Sequence, residues 1–160
     1  MATEIERKFL IVGDFKSEAF DHKVIKQGYI IPEAEGRSVR IRRKGNKGFI
    51  TIKGPTSANG LSRYEWEKEI ALEEAEELLK LCNPNYVDKV RYLVKAGQHT
   101  FEVDEFHGLN EGLVMAEVEL GSEEEEFMRP SWLGKEVTGD ARYYNSSLAR
   151  FPYLEWKDSE

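Results

Sequence analysis

The sequence predicts one domain of the α+β class that is mainly β, with a few helices packed outside the strands. Apolar and charged residues alternate through most of the chain, with the period of a β-strand. Clusters of Gly, Pro and Asn divide these runs, as turns do. The 160 residues, 40% of them hydrophobic, can bury one core but are too few for two ordinary domains. We therefore expect one domain over residues 1–152 and a tail of residues 153–160.

Strands account for most of the first half of the chain. After the first strand, Asp14–Asp21 predicts a short helix or turn, and Pro32–Gly36 ends the second strand. A tight turn is expected at Gly45–Gly48 and a loop at Gly54–Gly60, because turn-forming residues dominate both segments. The five predicted strands are Thr3–Val12, Lys23–Ile31, Arg37–Lys44, Phe49–Lys53 and Leu61–Leu72.

A helix separates these strands from three more. From Glu73 to Cys82 the apolar residues recur at helical spacing, and glutamates fill the remaining face. The later strands are predicted at Tyr86–Val94, Gln98–Phe106 and Leu113–Leu120. Beyond them, Ser122 and Glu125 form a capping box that predicts a helix over Glu123–Phe127, and Asn145–Phe151 predicts another. We expect the tail to be frayed.

Charged residues repeat at every second position of these strands, and their signs are sorted by strand. Residues two apart share one face of a strand. The first strand carries both signs, in Glu4, Glu6 and Lys8. Bases on the other strands are Arg40, Arg42, Lys53, Lys89 and Arg91. Acids are Glu65, Glu67, Glu102, Asp104, Glu117 and Glu119. On a flat exposed sheet, like charges facing each other across the acidic strands would repel.

Closure of the sheet into a barrel would give these sorted charges a purpose. The apolar faces would then pack outside, and the lumen would have one basic and one acidic wall. Arginines hold phosphate oxygens bidentately and carboxylates hold hard cations, so such a lumen suits a polyphosphate complexed to a divalent metal. For the segment Glu4–Phe9 alone, a solvated edge strand is an equally good interpretation.

The spacing Glu4-x-Glu6-x-Lys8 at the start of a strand-rich chain resembles the signature of the CYTH domain superfamily, the triphosphate tunnel metalloenzymes. The resemblance extends from Glu4 to about Phe151. It implies an eight-stranded antiparallel closed barrel whose charged lumen binds a triphosphate-containing small molecule. It also implies a divalent metal cofactor, Mg²⁺ or Mn²⁺.

The resemblance implies roles for individual residues. Lys8 is the candidate general base for a metal-bound water. Phosphate-binding residues would be Arg40, Arg42, Lys53, Lys89, Arg91 and Lys135. Metal ligands would come from Glu4, Glu6, Glu65, Glu67, Glu102, Asp104, Glu117 and Glu119. In the family, the lysine that Lys135 matches lies on a helix that closes one tunnel end. From the sequence alone, Lys135 could equally well be an ordinary surface lysine. Arg63 could contact substrate or brace carboxylates.

Composition and motifs exclude several other classes of function. The net charge of −7 disfavours general nucleic-acid binding. Cys82 is the single cysteine, so no internal disulfide forms, and we expect a cytoplasmic protein because neither a signal peptide nor a long apolar segment is found. No membrane span is expected. The histidines lack zinc spacing, and no glycine-rich phosphate loop occurs.

Within the family that this chain resembles, the same tunnel hydrolyses tripolyphosphate, nucleoside triphosphates or thiamine triphosphate, or cyclises ATP. The compact chain most resembles the bacterial tripolyphosphatases, so we expect hydrolysis of inorganic tripolyphosphate to pyrophosphate and phosphate. The alternative is a class IV-type adenylate cyclase, which converts ATP to cyclic AMP, or a nucleoside or thiamine triphosphatase. A third hypothesis is a non-catalytic polyphosphate-binding module. The many carboxylates disfavour it, because a protein that only binds polyanions would do better with fewer of them. A homodimer is one possible assembly of the chain.

Overall fold

The strands of the protein form one continuous antiparallel sheet that closes on itself. The computed structural model describes residues 3–34, 37–82 and 86–159. The strands are β1 Thr3–Ile11, β2 Ala19–Ala34, β3 Arg37–Lys44, β4 Lys47–Thr56, β5 Ser62–Ile70, β6 Tyr86–Ala96, β7 His99–His107, β8 Val114–Glu119 and β9 Leu133–Glu136. The α-helices are α1 Leu72–Cys82, α2 Asn145–Arg150 and α3 Tyr153–Ser159. Single 3-10 turns occupy Lys16–Glu18, Gly108–Asn110 and Ala141–Tyr143.

The barrel contains eight strands, and β9 is an addition to it. Neighbouring strands follow the order β5, β4, β3, β2, β6, β7, β8, β1, and β1 then returns to β5. This last seam is short, with the pairs Thr3–Tyr64, Glu4–Arg63 and Ile5–Ser62. Further along β1, the same edge pairs with β9 at Phe9 and Ile11. The predicted closed eight-stranded antiparallel barrel is confirmed.

All the predicted strands form, and β2, β4 and β6 are longer than predicted. β2 continues past the predicted stop at Pro32 to Ala34. Its pairing with β3 shifts register between Tyr29 and Ile31 and again before Ala34, and such irregular pairing is where a strand tolerates proline. The rest of the predicted Pro32–Gly36 break, residues 35–36, lies outside the described residues.

Apolar side chains pack in separate clusters around the barrel. On the outer face of β1 and β6–β8, the segment between β8 and β9 supplies Trp132, whose ring lies 5.4 Å from that of Phe101. Helix α1 covers Ile41 on β3. Helices α2 and α3 pack at one end of the barrel against Tyr29, Phe106 and Met115. Tyr144 and Asn145, next to this cluster, line the lumen, and we call this the inner end of the barrel.

One part of the outer surface keeps its apolar side chains exposed. Ile52 on β4 pairs in register with Trp66 on β5, and the two residues are 41% and 43% exposed. Tyr64, two residues before Trp66 on the same face, is 41% exposed.

No helix in the described part of the chain is long and apolar enough to cross a membrane.

Three local predictions were wrong. Glu123–Phe127 is not helical, because the Glu125 carboxylate accepts a 2.7 Å hydrogen bond from the Gly121 N–H and contacts His99 instead of completing the capping box. The expected frayed tail contains α3, where Trp156 is buried with its ring 5.1 Å from that of Tyr143. Lys135 lies on β9 and not on a helix.

Candidate active site

Side chains from every strand of the barrel and from α2 line a central cavity of about 240 Å³. Alternation along each strand sends one set of residues inward, as the sequence pattern predicts. All the predicted site residues line this cavity except Asp104 and Lys135. Asp104 is buried behind the lining, and Lys135 is exposed on β9. Lys135 therefore lies on a strand, and not on the helix that the resemblance implies.

The acidic wall holds carboxylates in contact with one another. Glu4 hydrogen-bonds Glu65, and Glu6 hydrogen-bonds Glu117. Burial raises the pKa of Glu6 well above its usual range, and the charge of Glu117 adds to this effect. Burial also raises the pKa of Glu4, with the contact to Glu65 as the next cause. One lysine compensates each pair: Lys53 Nζ lies 3.2 Å from Glu4 Oε1 and 3.8 Å from Glu65 Oε2, and Lys8 contacts Glu6 and Glu117.

Lys8 lies against this acidic wall as a buried cation. Its Nζ is 3.8 Å from Glu6 Oε1 and 3.7 Å from Glu117 Oε1. It also lies 5.0 Å from the centre of the Tyr144 ring. Burial alone would lower the pKa of Lys8, but Glu117 and Glu6 outweigh it and the pKa is raised. Lys8 is therefore held in the ammonium form.

Arg40 and Arg42 form the centre of the basic wall. Their Nη2 atoms approach Glu67 Oε1 at 3.4 and 3.2 Å. Both Nε atoms are buried and have no hydrogen-bond partner among the described residues. Burial, together with the neighbouring charges of Arg40 and Arg91, lowers the pKa of Arg42 to about 10. These guanidinium groups therefore have donor capacity left for an anion.

A second basic group lies deeper in the barrel, around Asp104. Both oxygens of Asp104 are occupied, with Arg91 Nε 2.8 Å from Oδ1 and Lys89 Nζ 2.8 Å from Oδ2. Arg91 Nη1 also reaches Glu102 Oε2 at 3.2 Å. Burial lowers the pKa of Lys89 to about 8, although Asp104 opposes the shift. Asp104 thus compensates two buried cations, which leaves it no free oxygen for a metal.

Several lining residues were not identified from the sequence. Tyr29 on β2 and the Tyr144–Asn145 segment at the start of α2 line the inner end of the cavity. Asn145 Oδ1 accepts a 2.9 Å hydrogen bond from Lys89 Nζ, and the Arg63 guanidinium lies 5.6 Å from the centre of the Tyr144 ring. These uncharged residues fall outside the alternating charge pattern, so the pattern gave no signal for them.

The donor set of the lumen fits a hydrated divalent cation. In residues 3–34, 37–82 and 86–159, no three His, Cys, Asp or Glu side chains converge as a preformed metal site. The contacting pairs Glu4–Glu65 and Glu6–Glu117 nevertheless supply oxygen ligands that repel when both members are ionised. A cation that keeps several waters needs only one or two carboxylates, and it would relieve this repulsion.

Comparisons with known proteins agree with this architecture. A family model described as the CYTH domain matches residues 2–151. An inorganic triphosphatase from Acetivibrio thermocellus is 45% identical over 159 residues, covering 99% of this chain and 100% of that protein. An inorganic triphosphatase from Nitrosomonas europaea is 40% identical over 151 residues, covering 92% and 97%. The crystal structure of an inorganic triphosphatase aligns with a TM-score of 0.68 at 34% identity, over 93% of this chain and 95% of that one.

Proposed function

The chain belongs to the CYTH domain family, and we propose that within it the protein is a divalent-metal-dependent inorganic triphosphatase that hydrolyses tripolyphosphate to pyrophosphate and phosphate. The observation that carries the proposal is a buried lumen with an acidic wall against a basic wall. Relatives named inorganic triphosphatase, matched over nearly their whole length, support the same reaction. Hydrolysis rather than mere binding is favoured because a simple polyanion binder gains nothing from buried carboxylates.

The basic wall would hold the substrate. Arg40 and Arg42 present guanidinium groups that suit phosphate oxygens, with Lys89 and Arg91 deeper in the barrel. Lys53 would add a cation from the acidic side, where it contacts Glu4 and Glu65. Because these cations are fixed by the barrel before substrate arrives, they stabilise charge that develops on the phosphoryl oxygens without reorganisation. Lys135 takes no part in this set, since it is exposed on β9.

The acidic wall would hold the cofactor, for which we propose Mg²⁺ or Mn²⁺. Its ligands would come from Glu4, Glu6, Glu65, Glu117 and Glu119, and not from Asp104, which compensates Lys89 and Arg91. When bound, such an ion neutralises phosphate charge and lowers the pKa of a bound water. These residues would orient the hydrated ion towards the phosphates held by the opposite wall.

Lys8 would act as a cation rather than as the general base suggested by the family resemblance. A general base must give up its proton, whereas the contacts of Lys8 with Glu6 and Glu117 favour the ammonium form. As an ammonium, Lys8 would donate a hydrogen bond to the phosphoryl group at the inner end of the lumen. The charge that builds on this group in the transition state would strengthen the interaction.

The polar lining favours an inorganic substrate. Among the described lining residues, Tyr29 and Tyr144 supply the aromatic rings, and Lys8 and Arg63 lie against the Tyr144 ring. A nucleotide base would therefore find no free aromatic surface at this end of the cavity. Cyclisation of ATP would also require its ribose to enter the charged lumen.

The test is a substrate panel of tripolyphosphate, ATP and thiamine triphosphate, assayed with Mg²⁺, with Mn²⁺ and with chelator. We expect phosphate release chiefly from tripolyphosphate, and none in chelator. The Lys53→Ala variant should lose activity, whereas Lys80→Ala, a change on the exposed face of α1, should retain it. Cyclic AMP as the main product from ATP would select a cyclase instead, and full activity in chelator would reject the metal.

A further inference from the structure

The Glu67 carboxylate lies on the paired arginines and apart from the contacting carboxylates of the acidic wall. Its Oε1 is the shared acceptor of Arg40 Nη2 at 3.4 Å and Arg42 Nη2 at 3.2 Å. An oxygen between two guanidinium groups occupies the kind of position that a phosphate oxygen takes on an arginine pair. In the free protein, Glu67 therefore competes with substrate for these donors.

Thr51 holds the Glu67 carboxylate in this position. The Thr51 hydroxyl lies 2.7 Å from Glu67 Oε1 and 3.2 Å from Arg40 Nη2. A guanidinium can only donate, so the single hydroxyl proton is committed to the carboxylate. Backbone pairing fixes the arrangement, because Thr51 on β4 is directly opposite Arg40 on β3 and Glu67 on β5. Thr51 is fully buried, and water does not compete for this hydroxyl.

Glu67 leaves the arginine pair only partly satisfied. The Nε atoms of Arg40 and Arg42 are buried with no hydrogen-bond partner among the described residues, although each can donate. A buried donor without an acceptor is costly. A phosphate group brings several acceptor oxygens, whereas Glu67 offers one to both arginines. An exchange of carboxylate for phosphate would therefore satisfy more of the buried donors.

We propose that Glu67 is a placeholder for phosphate on the Arg40–Arg42 pair, and that Thr51 is the positioning residue that sets how readily phosphate displaces it. The proposal rests on the proposed function and goes beyond it, because it separates Glu67 from the carboxylates that would meet the metal first. Once displaced, the Glu67 carboxylate is free to face the cation that accompanies the substrate. Substrate and metal binding are thereby coupled through one side chain.

The first test measures tripolyphosphate binding by calorimetry in chelator, so that no metal contributes. Glu67→Gln should bind about tenfold more tightly than the parent, since phosphate no longer competes with a carboxylate held by charged hydrogen bonds. Glu119→Gln is the matched control, because it removes one charge from another exposed lining carboxylate, and no arginine in the described part of the chain pairs with Glu119. Equal tightening in the two variants would reduce the effect to net charge and overturn the placeholder role.

The second test concerns Thr51. Thr51→Val removes the hydroxyl at constant shape and should tighten metal-free binding by about threefold, whereas Thr51→Ser should bind like the parent. In a Glu67→Gln background the Thr51→Val change should have no further effect, because the group that it releases is gone. A merely structural role would give the same change in both backgrounds. Weaker binding by Thr51→Val, in either background, would overturn the positioning role.

The two proposals fail separately in these experiments. If the parent binds tripolyphosphate but does not hydrolyse it with magnesium, the proposed function is rejected and the comparison of variants still stands. If the parent hydrolyses tripolyphosphate but neither it nor Glu67→Gln binds it in chelator, the placeholder role is rejected alone. Thermal unfolding of each variant, compared with the parent, identifies any loss of fold.

Discussion

Asn145 and Lys89 are joined by a 2.9 Å hydrogen bond that ties the first residue of α2 to a buried ammonium on β6. Helix α2 packs at the inner end of the barrel, so this contact connects the helix to the proposed phosphate-binding wall. Asp104 is the other acceptor of Lys89, at 2.8 Å. The charged state of Lys89 therefore depends on two acceptors that the sequence pattern did not associate with each other.

The first prediction is a pH dependence set by Lys89. Its pKa is lowered to about 8, so the side chain is charged below this pH and loses its proton above it. We expect metal-free affinity for tripolyphosphate to fall as the pH rises through about 8. Asn145→Ala removes an acceptor that favours the ammonium, so the fall should move to lower pH. Asn145→Asp should move it to higher pH, and identical profiles in all three proteins would contradict the assignment.

Asp104 should contribute to the stability of the fold rather than to metal binding. Asp104→Asn would leave Lys89 and Arg91 buried without their compensating charge, and we expect a loss of about 3–5 kcal/mol in the free energy of unfolding. Glu102→Gln is the control, because Glu102 contacts Arg91 with a side chain that is 39% exposed and should cost less than about 1 kcal/mol. Urea unfolding of both variants measures the difference. An unchanged stability of Asp104→Asn, with a raised magnesium requirement, would restore Asp104 as a metal ligand.

Magnesium alone should stabilise the protein, and more so at high pH. The pKa of Glu6 and the pKa of Glu4 are raised, chiefly by burial, so the folded state binds protons that the unfolded state has released. Their contribution to stability is therefore present at low pH and is lost as the pH rises through the folded pKa values. A divalent cation would relieve the repulsion that then appears. The gain in Tm with magnesium should be larger at pH 8 than at pH 5, and Glu6→Gln should reduce this difference.

Lys8 variants should separate a cationic role from a basic one. If the ammonium stabilises phosphoryl charge, Lys8→Ala should lower kcat/KM by an amount corresponding to about 2–4 kcal/mol. Lys8→Arg keeps the charge and should recover part of the loss, and the shape of the pH–rate profile should not change. Steady-state kinetics across pH provide the measurement. Disappearance of an alkaline-rising limb in both variants would instead identify Lys8 as the general base.

Alternating charge predicted most of the lumen, because the direction of a side chain on a strand follows from its position alone. Glu65, Lys53 and Arg42 needed no tertiary information to be placed on the inward face. Asp104 alternates correctly too, but alternation does not indicate depth, and Asp104 lies behind the residues that line the cavity. The capping box at Ser122 failed for another reason: the Glu125 carboxylate binds the N–H of Gly121, directly before Ser122, and contacts His99, which lies on another strand.

The C-terminal part was less predictable because its structure depends on what it covers. Lys135 follows no alternating run long enough to indicate a strand, and β9 forms because the edge of β1 beyond the seam is free to pair. Tyr144 and Asn145 line the cavity because α2 packs on an apolar cluster that only the closed barrel assembles. No local signal in the sequence carries that information.

The seam between β1 and β5 has a consequence for how the chain acquires its activity. The partners of β1 are β5, β8 and β9, none of which follows it directly in the chain. During synthesis, the first strand therefore cannot complete its pairing until β8 and β9 have been made. Contacts between residues so far apart in the sequence make folding slow. Glu4 and Arg63 face each other across the seam. We expect the charged lumen to assemble at the last step of folding, so that partly folded chains carry no competent site.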